Sequence, residues 1–235
     1  MSRRIGPLAV PPLRIAYYDE LQAVRRGGLA PPWQVVMPLY REEIHYLVRA
    51  DSPMRFIHQI EGRRVNTGPV QGTRAFSARS SYELVVGAPL APSKADLLSR
   101  DEALDALLAG RIDAMVVVEA APAAWFAELP AETARRLRHL RLDPTHPSSQ
   151  RAMRQYLRAP IDGGETLAVM AFLISTGSGS DADAFARFGK GLCEALPALR
   201  RDGHPKWREI QPGLELETGW PNVAAAHEAL NGCAR

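Results

Sequence analysis

Short apolar runs alternate with amphipathic stretches along this chain. Leu13-Arg14-Ile15-Ala16-Tyr17 has a weak period of two and predicts a strand; Asp19 stands where it would cap a short helix over Glu20–Arg25, ended by Gly27-Gly28. After the rigid Pro31-Pro32 pair, Trp33–Pro38 and Ile44–Val48 read as two strands, and Pro53–Ile60 as a short helix stopped by Gly62. Val65-Asn66-Thr67-Gly68 is a short strand, followed by a helix from Thr73 to about Val85 that breaks at Gly87-Ala88-Pro89. Ser99 with Glu102 three residues on has the form of a capping box, and Ala103, Leu104, Leu107 and Leu108 give the helix behind it one apolar face. Ile112–Val118 and Leu167–Ile174 are apolar enough for buried strands. Between them the pattern predicts helices over Ala120–Leu129, Thr133–Leu140 and Gln150–Leu157, with a loop over Pro144–Ser149. Asp181 or Asp183 starts a helix to Leu199 after the Gly/Ser loop Ser175–Ser180, and Val223–Leu230 is a terminal helix. No internal repeat is visible. Strands alternating with helices predict an α/β fold with mixed, mainly parallel sheets, in which ligands sit at strand carboxyl ends near helix N-termini.

Composition narrows the classes. At 235 residues and 46% hydrophobic, the chain suits one large domain or two smaller ones. No apolar run approaches the length of a bilayer span. The net charge is only +3, and the arginine runs Arg63-Arg64, Arg135–Arg138 and Arg200-Arg201 are short and scattered, so they read as solvated faces rather than a nucleic-acid stripe. The basic start, Met1–Leu8, is broken by prolines and too short for a signal-peptide core. Cys193 and Cys233 lack zinc-ligand spacing; whether they pair is left open by sequence.

Candidate chemistry centres on Val65–Phe76, "VNTGPVQGTRAF". A strand runs through a Gly/Pro turn into a helix opening at Thr73. Such an opening carries unpaired N–H donors and partial positive charge, to which Thr73 and Arg74 would add a hydroxyl and a guanidinium. The segment is neither a Walker A loop nor a dinucleotide fingerprint, so a plain strand-to-helix turn and an anion site both stand. Glu119, directly after the buried strand Ile112–Val118, would face either a cleft or solvent. Glu42 and Glu43 are adjacent in a strand and so point to opposite sides, a poor acid/base pair. There is no nucleophile elbow, and the six histidines, 45, 58, 139, 146, 204 and 227, lack metal spacing and read as surface or capping residues. No catalytic or metal constellation assembles.

Four segments in order, "MPLYREEIHYLVR" (37–49), "IEGRRVNTGPVQGTRAFSARS" (60–80), "LDALLAGRIDAMVVVEAAPAAWFAEL" (104–129) and "LAVMAFLIST" (167–176), resemble the TAXI-type solute receptors of TRAP transporters, which have the type 2 periplasmic binding-protein fold. In that family a G-K-R-V stretch leads to a G-S-G-T turn, and a helix ending G-x-I-D-A leads to a strand and a small-residue loop with proline. Here these are Gly62–Val65, Val70–Thr73, Gly110–Ala114 and Glu119–Pro122. The resemblance covers Leu13 to Leu230. It implies two lobes, Leu13–Gly62 with Glu165–Arg235 and Arg63–Gly164, the first incomplete because the family's signal peptide and opening strand–loop are missing. Val70-Gln71 replaces a small Gly-Ser pair and would re-tune the anion site.

The resemblance further implies a non-enzymatic receptor, without cofactor, periplasmic, that captures a small organic acid or amino acid for TRAP membrane subunits. Gln71, Gly72, Thr73 and Arg74 would hold the carboxylate, Glu119 an amine, and Tyr18, Asp19 and Tyr40 would line the facing lobe. The same fold also serves as an effector-sensing module, as a remnant without ligand, or as the core of a few transferases.

Overall fold

The computed structural model describes residues 12–28, 31–69, 71–177 and 181–234. The proline-broken N-terminus, Val70 of the replaced Gly-Ser pair and residues 178–180 of the Gly/Ser loop lie outside them. The chain is mixed α/β and divides into two compact units, residues 1–40 with 170–235 and residues 41–169.

The division falls inside two strands. β2 spans Gln34–Arg49 and β8 spans Gly164–Ser175, and each passes from one unit into the other. The resemblance implies crossings near Gly62–Val65 and Gly163–Thr166. The two strands expected over Trp33–Pro38 and Ile44–Val48 are this one β2, continuous through Pro38.

In the first unit, β1 (Leu13–Tyr17) lies antiparallel on β8, Leu13 opposite Ser175 and Tyr17 opposite Ala171. α1 (Tyr18–Arg26) follows without a break, so Asp19 sits in its first turn rather than at its cap. Ala16, Leu21, Val35, Phe172 and Ile174 pack together here, with the tilted rings of Trp33 and Trp220, 5.5 Å apart, beside them. A second core forms around Phe185, Ile210, Ala226 and Leu230, between α7 (Ala182–Asp202) and α8 (Ala224–Asn231). Asp181 caps α7, its Oδ1 accepting from Ala184 N at 3.0 Å. The two helices touch at Gly189, where an added Cβ would stand 2.7 Å from Ala229 Cβ and 3.2 Å from the Ala226 carbonyl oxygen. One turn further on, Cys193 and Cys233 form a disulfide, Cα atoms 5.0 Å apart.

In the second unit the strand order is β8-β2-β5-β3-β4, with β6 added to β2 and β7 to β8. β5 (Ala114–Glu119) is antiparallel to β2, Glu43 facing Glu119. β3 (Val65–Asn66) is parallel to β5 and to β4 (Ala95–Asp96). β6 (Leu137–His139) and β7 (Leu157–Ile161) pair antiparallel with β2 and β8. The sheet is mixed, as expected, but antiparallel pairing outweighs the expected parallel majority. Part of the cause is local: β6 occupies a stretch where the pattern predicted a helix, and β7 lies just past the helix predicted over Gln150–Leu157, where the pattern predicted no element. Leu137-Arg138-His139 is too short to show a period, and β7 with β8 is a hairpin turned at Asp162-Gly163, with Gly163 at φ +79°.

α2 (Thr73–Val86) and α3 (Arg100–Leu108) start where expected, and Ser99 with Glu102 forms the capping box. Three short helices follow: α4 (Ala124–Glu128), α5 (Ala131–Arg135) and α6 (Pro147–Ala152). Expected helix Pro53–Ile60 is only a 3-10 turn over Ile57–Ile60. Leu47, Leu104, Leu107, Ile112, Met115 and Trp125 form this unit's core. No helix among the described residues is long and apolar enough to cross a membrane.

Candidate functional site

The carboxyl ends of β3 and β5 and the start of α2 enclose a cavity of about 380 Å³ within the second unit. Its lining comes from the turn residues Asn66, Thr67, Gly68 and Pro69, from Gln71, Gly72, Arg74 and Ala75 at the start of α2, from Met115–Glu119 of β5, and from Arg100. The turn depends on two glycines. Gly68 has φ +86° and its missing Cβ would touch Ala75 Cβ at 3.4 Å; Gly72, the residue before α2, has φ +119°. Asn66 locks the turn, its Oδ1 accepting from Gly68 N at 3.0 Å while its Nδ2 donates to the Leu98 carbonyl at 3.2 Å. No side chain caps α2, so its first N–H groups face the turn with the helix's partial positive charge.

Thr67 is a second signal at the same place. It is 1% exposed, lines the cavity, and its hydroxyl has no partner among the described residues. A buried hydroxyl without a hydrogen bond costs stability, about 1–3 kcal/mol. The sequence offered one hint of it, two polar residues ending a strand just before a glycine.

The charges at the cavity come in pairs. Arg74 Nε lies 3.4 Å from Glu42 Oε2, with Arg74 58% exposed and Glu42 1%. Arg100 Nη1 lies 3.0 Å from Glu119 Oε2, and its guanidinium sits 5.0 Å over the Trp125 ring. The formal charges of these four side chains cancel, while the helix end tips the balance towards an anion. Sequence reasoning missed Asn66, Thr67, Glu42, Arg100 and Trp125; the last three come from parts of the chain remote from the turn.

Of the residues singled out in the sequence, Gln71, Gly72, Arg74 and Glu119 line this cavity. Thr73 opens α2 but is not in the wall. Tyr18, Asp19 and Tyr40 belong to the first unit. There Tyr18 packs 6.4 Å from Phe172, Asp19 Oδ1 accepts from Glu20 N at 2.9 Å, and Tyr40 packs against the α7–α8 core. Glu42 and Glu43 do part, Glu42 to Arg74 and Glu43 to the amide of Ala121 at 2.7 Å.

Two histidines depart from the surface reading. His45 is 3% exposed; its Nε2 lies 3.1 Å from the Glu119 carbonyl oxygen and its Nδ1 3.2 Å from His139 Nε2. A carbonyl only accepts, so His45 carries its hydrogen on Nε2, and His139 donates to His45 Nδ1. Burial above all, and then the neighbouring His45, push the His139 pKa down to about 4 against an opposing effect of Asp162. His139 is thus neutral in the fold and cationic unfolded between about pH 4 and 6.5. Its contribution to stability is full above that window and is lost as pH falls through it, about 3 kcal/mol at most. Urea unfolding from pH 7 to 4 is expected to show a loss that His139→Phe largely removes. His146 and His204, by contrast, cap their helices as expected, accepting from Ser148 N and Lys206 N, each at 3.2 Å. No cluster of three potential metal ligands occurs among the described residues.

Comparison with known proteins adds a family and distant structural neighbours. The family model described as the NMT1-like family matches residues 32–161, more than half of the chain. No curated protein matches. Among solved structures, the arginine-, lysine-, histidine-binding protein ArtJ from Geobacillus stearothermophilus superposes with a TM-score of 0.49 and 15% identity, over 77% of this chain and 64% of its own. The putative periplasmic sulfonate-binding protein SsuA from Methylobacillus flagellatus has a TM-score of 0.45 and 11% identity, over 85% and 51%. XAC2383 from Xanthomonas citri, bound to chloride ion, has a TM-score of 0.46 and 14% identity, over 94% and 77%. This chain spans less than two thirds of the length of the first two. Likeness at this level transfers neither ligand nor site.

Proposed function

The chain belongs to the NMT1-like family, and from that premise we propose that it is a solute-binding receptor rather than an enzyme. Its cavity in the second unit takes the carboxylate of a small organic acid or amino acid. The observation that carries this reading is the uncapped start of α2 facing a cavity that also holds the unpartnered Thr67 hydroxyl. The Thr67 hydroxyl is a donor without an acceptor among the described residues, the helix start adds partial positive charge, and a carboxylate supplies several acceptor sites. Gln71, Gly72 and Arg74 stand within the same wall; Glu119, already at Arg100, is placed to share an ammonium group. Capture of this kind makes and breaks no bond; binding shifts a conformational equilibrium that a partner reads. A TRAP-type membrane partner of the TAXI kind, and a periplasmic setting, extend the proposal. The Cys193–Cys233 disulfide favours an oxidising compartment.

The test is isothermal titration with a panel of amino acids, mono- and dicarboxylic acids, sulfonates and nucleotides. A carboxylate that binds in the micromolar range supports the receptor; a nucleotide alone would point to an enzyme, and silence across the panel would defeat the proposal.

Thr67→Val gives a sharper check because its two effects have opposite signs. It removes an unsatisfied hydroxyl and keeps the shape, so the ligand-free protein gains about 1 kcal/mol. The same change deletes a donor to the carboxylate, so affinity falls about fivefold or more. Urea unfolding and titration on one preparation read both.

A further inference from the structure

β2 presents two polar side chains where packing alone would favour apolar ones. Glu43 and His45 are two residues apart and so share a face of the strand. They are 4% and 3% exposed. Each holds a backbone group where β5 runs out: the Glu43 carboxylate accepts from Ala121 N at 2.7 Å, and His45 Nε2 donates to the Glu119 carbonyl at 3.1 Å. His139 backs His45 from β6, and the Phe126 ring covers both imidazoles, 4.9 Å from His45 and 5.5 Å from His139. Burying a carboxylate and an imidazole is costly unless both are bonded. Here the bonds go to the segment whose side chain, Glu119, pairs with Arg100 in the cavity wall.

We propose that Glu43 and His45, backed by His139, are positioning residues: they clamp the Glu119–Ala121 segment and so fix where the Glu119–Arg100 pair stands in the cavity. This rests on the cavity being the ligand site, but the clamp is a property of the protein without ligand. Neither Glu43 nor His45 lines the cavity, so their effect is exerted through the segment they hold. Arg100 in turn lies over Trp125, which gives the wall its own spectroscopic reporter.

The experiment uses the full chain labelled with fluorotryptophan, without ligand. Fluorine NMR follows Trp125, assigned by Trp125→Phe, beside Trp33, Trp207 and Trp220 of the other unit. Amide exchange follows Ala121. Glu43→Ala is expected to speed Ala121 exchange about tenfold or more, the loss of one charge-assisted bond, and both Glu43→Ala and His139→Phe are expected to move the Trp125 resonance. Glu43→Gln and His45→Gln keep an acceptor and a donor and should leave both readouts close to wild type. An unmoved Ala121 signal in Glu43→Ala, or an unmoved Trp125 resonance in both variants, would overturn the clamp. So would four tryptophan resonances shifting together in proportion to lost stability, or failure of the glutamine variants to rescue. Because no ligand enters, a silent titration panel would defeat the receptor reading and leave this result standing.

Discussion

Removing the Cys193–Cys233 disulfide should lower the stability of this protein by about 4 kcal/mol. The bridge joins residues 40 apart in sequence. In the chain-entropy picture, opening a loop of that size restores to the unfolded chain freedom worth about 4 kcal/mol at room temperature. Little opposes this in the native state, because α8 remains against α7 through Ala226, Leu230 and Phe185. The measurement is urea unfolding of wild type and of Cys193→Ala/Cys233→Ala, each with and without reductant. Wild type in reductant should match the double variant, and the double variant should ignore reductant. A wild type indifferent to reductant would contradict the bridge.

The second large effect concerns affinity. For the acid that binds best in the titration panel, Arg74→Ala/Arg100→Ala is expected to weaken binding about a hundredfold. A hydrogen bond between charged partners contributes about 1.5–3 kcal/mol, and two are removed. The loss is discounted because each guanidinium is already paired, Arg74 with Glu42 and Arg100 with Glu119, so the ligand competes for them. The single variants should differ in stability. Arg74→Ala leaves Glu42 buried beside a missing cation and should cost more than Arg100→Ala, whose partner Glu119 is the less deeply buried carboxylate. Equal affinities in wild type and double variant would place the ligand elsewhere.

What could be read from the sequence follows from how local each signal is. α2 and α3 were legible because their starts are written in a few adjacent residues: Gly72 before Thr73, and Ser99 with Glu102. The turn between Asn66 and Thr73 was legible as strand, glycine, helix, and it lies at the cavity. Arg100 and Glu42 were not, because nothing within a few residues of either marks it; only the strand order brings them to α2 and β5. β6 and β7 failed for a related reason. The side chains of β6 fit a short helix as well as a strand, those of β7 marked no element, and the choice was made by free edges on β2 and β8 elsewhere in the chain. The histidines divide in the same way. His146 and His204 cap by local geometry, whereas the burial of His45 is set by β5 and β6 on either side of it.

Gly189 has a consequence for how the chain matures. The two cysteines meet one turn beyond the point where α7 and α8 touch, and that contact is close only because residue 189 has no side chain. The settled last helix therefore holds the two sulfurs side by side, whereas in the loose chain they meet only by chance. The disappearance of free thiols during oxidative refolding becomes a clock for that settling, and a leucine at 189 should make the clock run slow.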